Sequence, residues 1–132
     1  MKLKKKELGE YVIAIVGCGR SGSDIAKDLV NQGFKNFILL DYTKDESKDE
    51  DDRYVVETLR DELLEMKEDL EIIPLIGEIS LDNVQDIFEQ DLDLLYLNID
   101  VDEKMYSKIN ICSHFYKKPI IYYKDYNRRF SS

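Results

Sequence analysis

The sequence predicts one α/β domain, a doubly wound, Rossmann-like parallel sheet of five strands, on three observations. Residues 11 to 41 spell a complete β-α-β unit: the apolar run YVIAIV, the loop GCGRSG, an amphipathic segment, and the return strand GFKNFILLD. Beyond it, short apolar runs keep alternating with segments of helical periodicity, the pattern of a parallel sheet covered on both faces. A length of 132 residues suits one compact domain with a genuine core and leaves no room for a second.

The strands are expected at 11–16, 36–40, 71–76, 92–98 and 119–123, each a run of mostly apolar residues. Between the first two lies a helix carrying Ile25, Ala26, Leu29 and Val30 on one face and stopped by Gly33, a natural C-cap. A second helix, over about 54–68, repeats Val55, Leu59, Leu63 and Met66 at helical spacing. The third opens at Ser80 as N-cap and is expected to bury Leu81, Val84, Ile87 and Phe88. The fourth follows Asp102, aligns Met105, Ile109 and Cys112 in one stripe, and has Phe115 and Tyr116 near its end. Right-handed crossovers then wind the sheet twice and place a ligand crevice at the carboxyl ends of its strands.

The loop supplies candidate binding residues. Gly17 permits a tight turn out of the first strand, Gly19 lets backbone approach a phosphate, and Gly22 lets the new helix pack against the strand. The helix start behind them offers unpaired N–H groups and a partial positive charge to an anion. Asp41 ends the second strand 24 residues after Gly17, where a carboxylate accepts ribose hydroxyls. The unit is written for an adenine nucleotide.

A formal charge of −9 argues against a general nucleic-acid binder. The basic clusters are terminal: Lys2, Lys4, Lys5 and Lys6 in a lead-in over residues 1–10 that reads as frayed and solvated, and Arg128 with Arg129 in a polar tail over 124–132. Tyr122, Tyr123 and Tyr126 beside those arginines offer stacking faces for bases, but a last strand followed by a polar tail accounts for them more simply. No apolar run has the length of a membrane span, and the lysine-rich start lacks the apolar core and cleavage site of a secretory signal. Cys18 and Cys112 have neither CxxC nor zinc spacing, so a reducing cytoplasm is the expected setting. Cys112 on its apolar stripe reads as a small core residue and His114 as an exposed one. Cys18 lies in the loop, where helix N-terminal amides can lower a thiol pKa, yet its position favours packing. Residues 42–53 continue from Asp41 as an acidic loop without apolar support; the stretch 41–53 holds seven acids against three bases. It reads as a solvated loop, although its carboxylates also suit a divalent cation and its place after Asp41 would let it fold over a bound ligand.

Over about residues 11 to 123 the chain resembles the ThiF, MoeB and HesA family, the prokaryotic relatives of ubiquitin-activating enzymes. The resemblance is carried by GFKNFILLD, by the helix VETLRDELLEMKEDLEIIPL leading into the third strand, and by the stretch from ISLDNVQDIFEQDLDLLYLNIDVDE to KKPIIYY. On this match Asn83, Asp93, Asp100, Cys112 and Pro119 hold family positions. The resemblance implies binding of ATP with Mg²⁺ and attack on the α-phosphate by the C-terminal carboxylate of a ubiquitin-like or sulfur-carrier protein. It implies that Asp100 holds the metal and takes part in catalysis, that Asp41 holds ribose, and that the protein forms homodimers, with the last-strand tyrosines a candidate contact. The departures concern the reaction. GRSG replaces the usual GGLG and puts Arg20 and Ser21 beside the phosphates; Thr43 stands where a second acid is expected; Arg53 is a displaced stand-in for the family's catalytic arginine; and the lysine before the second helix has no equivalent. The family's later region, with its zinc cysteines, catalytic thiol and much of the carrier-protein groove, also has no counterpart, so the resemblance covers the nucleotide half and not the substrate half. The opening GCGRSGSDIAKDL and the segment NIDVDE are also similar to TrkA-type regulatory domains, which bind NAD(H), ADP or ATP without turnover. An NAD-dependent oxidoreductase would need a substrate domain that the sequence lacks.

Overall fold

A computed structural model describes residues 7–46 and 53–122. The chain runs through β1 (Val12–Val16), α1 (Arg20–Gln32), β2 (Asn36–Asp41), α2 (Val55–Met66), β3 (Glu71–Ile76), α3 (Val84–Glu89), β4 (Leu94–Leu97), α4 (Glu103–Tyr116) and β5 (Ile120–Tyr122). All neighbouring strands are parallel, in the order β3-β2-β1-β4-β5. This is the α/β, Rossmann-like fold that the alternating pattern predicts, and the order reverses beside β1, where β1 pairs with both β2 and β4. Such a reversal opens a crevice at the carboxyl ends of the strands.

Strand alternation divides the core into two layers. Ile13, Ile15, Phe37 and Leu39 face α1 and α2, packing on Ala26, Val30, Val56, Leu59 and Leu63. Ala14, Val16, Leu95 and Leu97 face α3 and α4, packing on Val84, Phe88, Met105 and Ile109. A fully buried side chain of the size of Phe37 or Phe88 contributes about 1.5–3 kcal/mol through removal from water. Cys112 is buried in the second layer and His114 is exposed, as the sequence predicts.

The helix boundaries have local causes. Gly33 ends α1 at φ 114°, its N–H donating back to the carbonyls of Leu29 and Val30. The Glu57 carboxylate accepts the Tyr54 N–H at 3.0 Å and fixes the start of α2. Asp102 caps α4, accepting the Met105 N–H at 2.8 Å.

Several expectations need correction. Ser80 caps as expected, its Oγ accepting the Asn83 N–H at 3.2 Å while Asn83 Oδ1 accepts the Ser80 N–H at 2.8 Å, but residues 81–83 form a turn and the regular helix α3 begins only at Val84. Leu81, in that turn, is 46% exposed instead of buried. The sheet is not covered everywhere on both faces. Ile73 and Leu75, paired with Ile38 and Leu40, extend the α3/α4 face past those helices and are 55% and 40% exposed. The lead-in is ordered from Leu8 to Glu10 as a 3-10 turn, and the Asn36 amide donates to the Gly9 carbonyl at 2.8 Å. The acidic loop leaves and returns through a short stem, with a Lys44–Tyr54 bridge and the Asp45 N–H on the Arg53 carbonyl at 2.8 Å. The loop's centre (47–52), the lysines at 2–6 and the tail from Tyr123 lie outside the described residues. No helix among the described residues is long and apolar enough to cross a membrane.

Candidate nucleotide-binding site

The loop between β1 and α1 is shaped by its glycines. Gly17 turns the chain at φ 91°, and a Cβ there would stand 2.7 Å from Ile99 Cγ2. At Gly22 a Cβ would stand 2.1 Å from the Gly17 carbonyl oxygen, so the first turn of α1 rests directly on the end of β1. Over Gly19, by contrast, a Cβ would meet nothing within 4 Å. Gly19 is also the N-cap of α1, brings no side-chain acceptor, and is followed by a first turn without an acid. The opening amides of the helix therefore lack intrahelical acceptors and carry the positive end of its dipole toward open space. Ser21 is half-buried in this first turn and Arg20 is exposed beside it.

Asp41 does more than the sequence suggests. Its two carboxylate oxygens accept the N–H groups of Cys18 and Thr43, each at 2.7 Å, so it ties the loop to the end of β2. Thr43, where the resemblance leads one to expect a second acid, is thus held through its backbone. Asp41 and Gly17 border a hollow of about 130 Å³, closed on its far side by Gly77 and Glu78. Tyr42, Glu78, Ile79 and Ile99 are shared with a neighbouring hollow of about 310 Å³, which Asp100 and Asp102 border. Gly17, Asp41 and Asp100 therefore lie along one crevice at the carboxyl ends of the strands. On the α1/α2 side of the loop, Gly19 and Arg20 face a further hollow of about 270 Å³ with Ser23 and Thr58.

Arg53 is placed differently. Its guanidinium binds Asp61 on α2, and it borders none of these three hollows. The hydrogen bond from Arg53, with help from Arg60, holds the Asp61 carboxyl below the usual carboxylate range. Asp100 is exposed in the β4–α4 connection, and no group of three or more His, Cys, Asp or Glu converges as a metal cage among the described residues.

The sequence gives no notice of Gly77 and Glu78 beside Asp41, nor of Asn98, whose amide donates to the Gly17 carbonyl at 3.2 Å. A polar residue closing the apolar run of a central strand is the one signal that could have found Asn98.

Cys18 is buried, its thiol near the Ile15 carbonyl at 3.5 Å. Burial, reinforced by the negative charge of Asp41, pushes that thiol up to about 12, opposite to the lowering that helix amides would give. The thiol ionises in the unfolded chain before it does in the folded one, so its contribution to stability is whole below pH 9 and is lost as the pH rises toward 12. Urea unfolding of Cys18→Ala against the parent is expected to show a steeper fall in the parent, the difference growing to about 4 kcal/mol at most across that range, over the loss that Tyr96 and Tyr122 cause in both. Parallel pH curves for the two proteins would contradict it.

No protein-family model and no curated protein matches the sequence. Solved structures match it over 87% of its length. E. coli MccB with succinimide aligns at TM-score 0.76 and 18% identity, the match covering 36% of that protein. E. coli MccB with ATP aligns at 0.72 and 21% identity, over 37% of its length. E. coli TcdA, a tRNA N6-threonylcarbamoyladenosine dehydratase in complex with AMP, aligns at 0.75 and 16% identity, over 50% of its length. The chain thus spans about a third of MccB and half of TcdA. At these identities the likeness establishes a shared fold alone, the one that MccB and TcdA also adopt over the matched segment.

Proposed function

We propose that this chain binds an adenine nucleotide, ATP in preference to NAD, as the nucleotide-holding part of a ThiF-like adenylating protein. The observation that carries the reading is the open space over Gly19 at an uncapped helix start, next to a crevice bordered by Asp41. The shared fold with MccB, solved with ATP, and with TcdA, solved with AMP, supports it.

In this reading the first amides of α1 take the phosphates and Arg20 neutralises their charge. Asp41, already oriented by two backbone amides, retains lone pairs for the ribose hydroxyls. Asp100 and Glu78, which border the same hollow, would hold Mg²⁺, an ion that needs only one or two carboxylates when phosphates complete its shell. When bound, the ion supplies positive charge to the triphosphate. The matching reaction is adenylation of a carrier: a carboxylate oxygen of the partner's C-terminus bonds to the α-phosphorus, the bond to the bridging oxygen of the β-phosphate breaks, and pyrophosphate leaves with both electrons. In this reading the hydroxyl of Ser21, in the first turn of α1, would add a donor to the phosphates. Arg53, occupied by Asp61, would have to leave that partner to act in catalysis. The ubiquitin-like or sulfur-carrier partner, a second copy of the chain in a homodimer, and the remaining substrate groove belong to this proposal; MccB structures that hold MccA support a partner substrate in general.

Calorimetric titration with ATP and Mg²⁺, ADP, adenosine and NADH tests it. ATP is expected to bind most tightly, and Arg20→Ala to weaken ATP roughly tenfold, the equivalent of one charged contact, while leaving adenosine unchanged. Tighter binding of NADH would assign a regulatory module instead, and no binding by any of the four would overturn the nucleotide reading.

A further inference from the structure

We propose that Asn98 is the positioning residue of the nucleotide loop, holding the Gly17 carbonyl so that the amides beyond it stay turned toward the phosphates. The inference rests on the nucleotide reading above and concerns a residue which that reading does not use.

Asn98 is the first residue past β4, and its N–H continues the β1–β4 ladder onto the Val16 carbonyl at 2.8 Å. By alternation with Leu94 and Tyr96 its side chain falls on the α1 face of the sheet. There Nδ2 donates to the Gly17 carbonyl oxygen at 3.2 Å, across a sequence separation of 81 residues. That oxygen is the atom against which Gly22 packs, since a Cβ on Gly22 would reach it at 2.1 Å and Nδ2 at 3.3 Å. The carbonyl is thus clamped between the first turn of α1 and the Asn98 amide. With its oxygen held inward, the peptides after Gly17 are constrained to direct their N–H groups outward, toward Asp41 in the case of Cys18 and toward open space at the helix start.

The other end of the amide supports a role beyond stability. Asn98 Oδ1 is buried and meets no hydrogen-bond partner among the described residues. Turning the amide over would not relieve it, because Oδ1 would then face the Gly17 carbonyl oxygen. A buried acceptor without a donor is unfavourable for folding; an apolar side chain of the same shape would remove that penalty but leave the Gly17 carbonyl without its Asn98 donor, so the exchange is close to neutral for stability. An asparagine here is therefore explained less by stability than by the one hydrogen bond it gives to the loop. Asn98 borders none of the hollows around the loop, so it acts through Gly17 and not on the ligand.

The test separates binding from stability. Asn98→Leu keeps the shape and removes both the donor and the orphaned oxygen; Asn98→Asp keeps the shape and turns an acceptor toward Gly17. Both are titrated calorimetrically with ATP and Mg²⁺ and with adenosine, and their melting temperatures are compared with the parent's. Asn98→Leu is expected to melt close to the parent yet to bind ATP about tenfold more weakly, with adenosine affinity within twofold. Asn98→Asp is expected to lose at least as much ATP affinity as Asn98→Leu. ATP affinity within twofold of the parent in either variant overturns the proposal while the nucleotide reading stands. Equal losses for ATP and adenosine, together with a lowered melting temperature, overturn it in favour of a purely structural role. A parent chain that binds no ATP defeats the nucleotide reading and this inference with it.

Discussion

Gly22→Ala is expected to destabilise the protein by about 3 kcal/mol and to weaken ATP binding by roughly 100-fold or more. The methyl group it adds would stand 2.1 Å from the Gly17 carbonyl oxygen and 3.0 Å from the Gly17 carbonyl carbon, both backbone atoms that have no rotamer to escape into. Relief requires the start of α1 to lift away from the end of β1, which moves the helix amides off the position they share with Asp41 and the crevice. Neither the Asn98 hydrogen bond nor the close packing at Gly17 would survive the shift. Gly19→Ala provides the contrast: its Cβ would meet no protein atom within 4 Å, so it is expected to leave folding nearly unchanged and to interfere only with a bound phosphate. Thermal unfolding and ATP titration of the two variants check both halves. Equal melting temperatures for Gly22→Ala and the parent would contradict the packing argument.

Asp41→Ala is expected to have the next largest effect. It leaves the Cys18 N–H, on a buried residue, and the Thr43 N–H without the acceptors they now hold at 2.7 Å. Hydrogen bonds to a charged acceptor contribute about 1.5–3 kcal/mol each, and the solvent-accessible Thr43 amide can recover part of its share from water, so a loss of about 3 kcal/mol in unfolding free energy is expected. Nucleotide affinity is expected to fall by roughly 100-fold, since the ribose contact and the loop support vanish together. Asp41→Asn separates them: one carbonyl oxygen remains, so it should recover more of the stability than of the binding. Stability and affinity equal to the parent's in Asp41→Ala would show that the carboxylate supports neither loop nor ligand.

The legibility of this fold and site follows the range of the interactions involved. The strands are readable because β1, β2 and β4 are near-continuous apolar runs, β1 and β2 buried on both faces and β4 fully buried on one and half-buried on the other. Helices α1 and α4 are readable because Gly33 and Asp102 mark their ends with local chemistry. The late start of α3 is not readable from hydrophobic spacing, since Leu81 falls in a turn that the Ser80–Asn83 bonds cap before the regular helix begins. At the site, the glycines announce the loop because their spacing is itself a backbone requirement. Asn98 and Glu78 reach it from just beyond strands distant in sequence; only the polar close of the β4 run hints at Asn98, and nothing around Glu78 foretells its approach. Arg53 shows the reverse case: its charge suggests a phosphate contact, but Asp61, two turns along the same segment, claims it first. Likewise the exposure of Ile73 and Leu75 depends on how far α3 and α4 extend across the sheet, which the composition of β3 does not encode.

The central claim is that the opening amides of α1 receive the phosphates of an adenine nucleotide. Titration of ATP with Mg²⁺ into the ¹⁵N-labelled protein, followed by amide chemical shifts, tests it most directly. The predicted result is a set of saturable shifts concentrated at Gly19, Arg20, Ser21 and Gly22, with Asp41 and Thr43 responding and the distant Lys117 and Lys118 amides unmoved. Saturating ATP that leaves the Gly19–Gly22 amides in place, or that moves amides only elsewhere in the chain, would contradict the account.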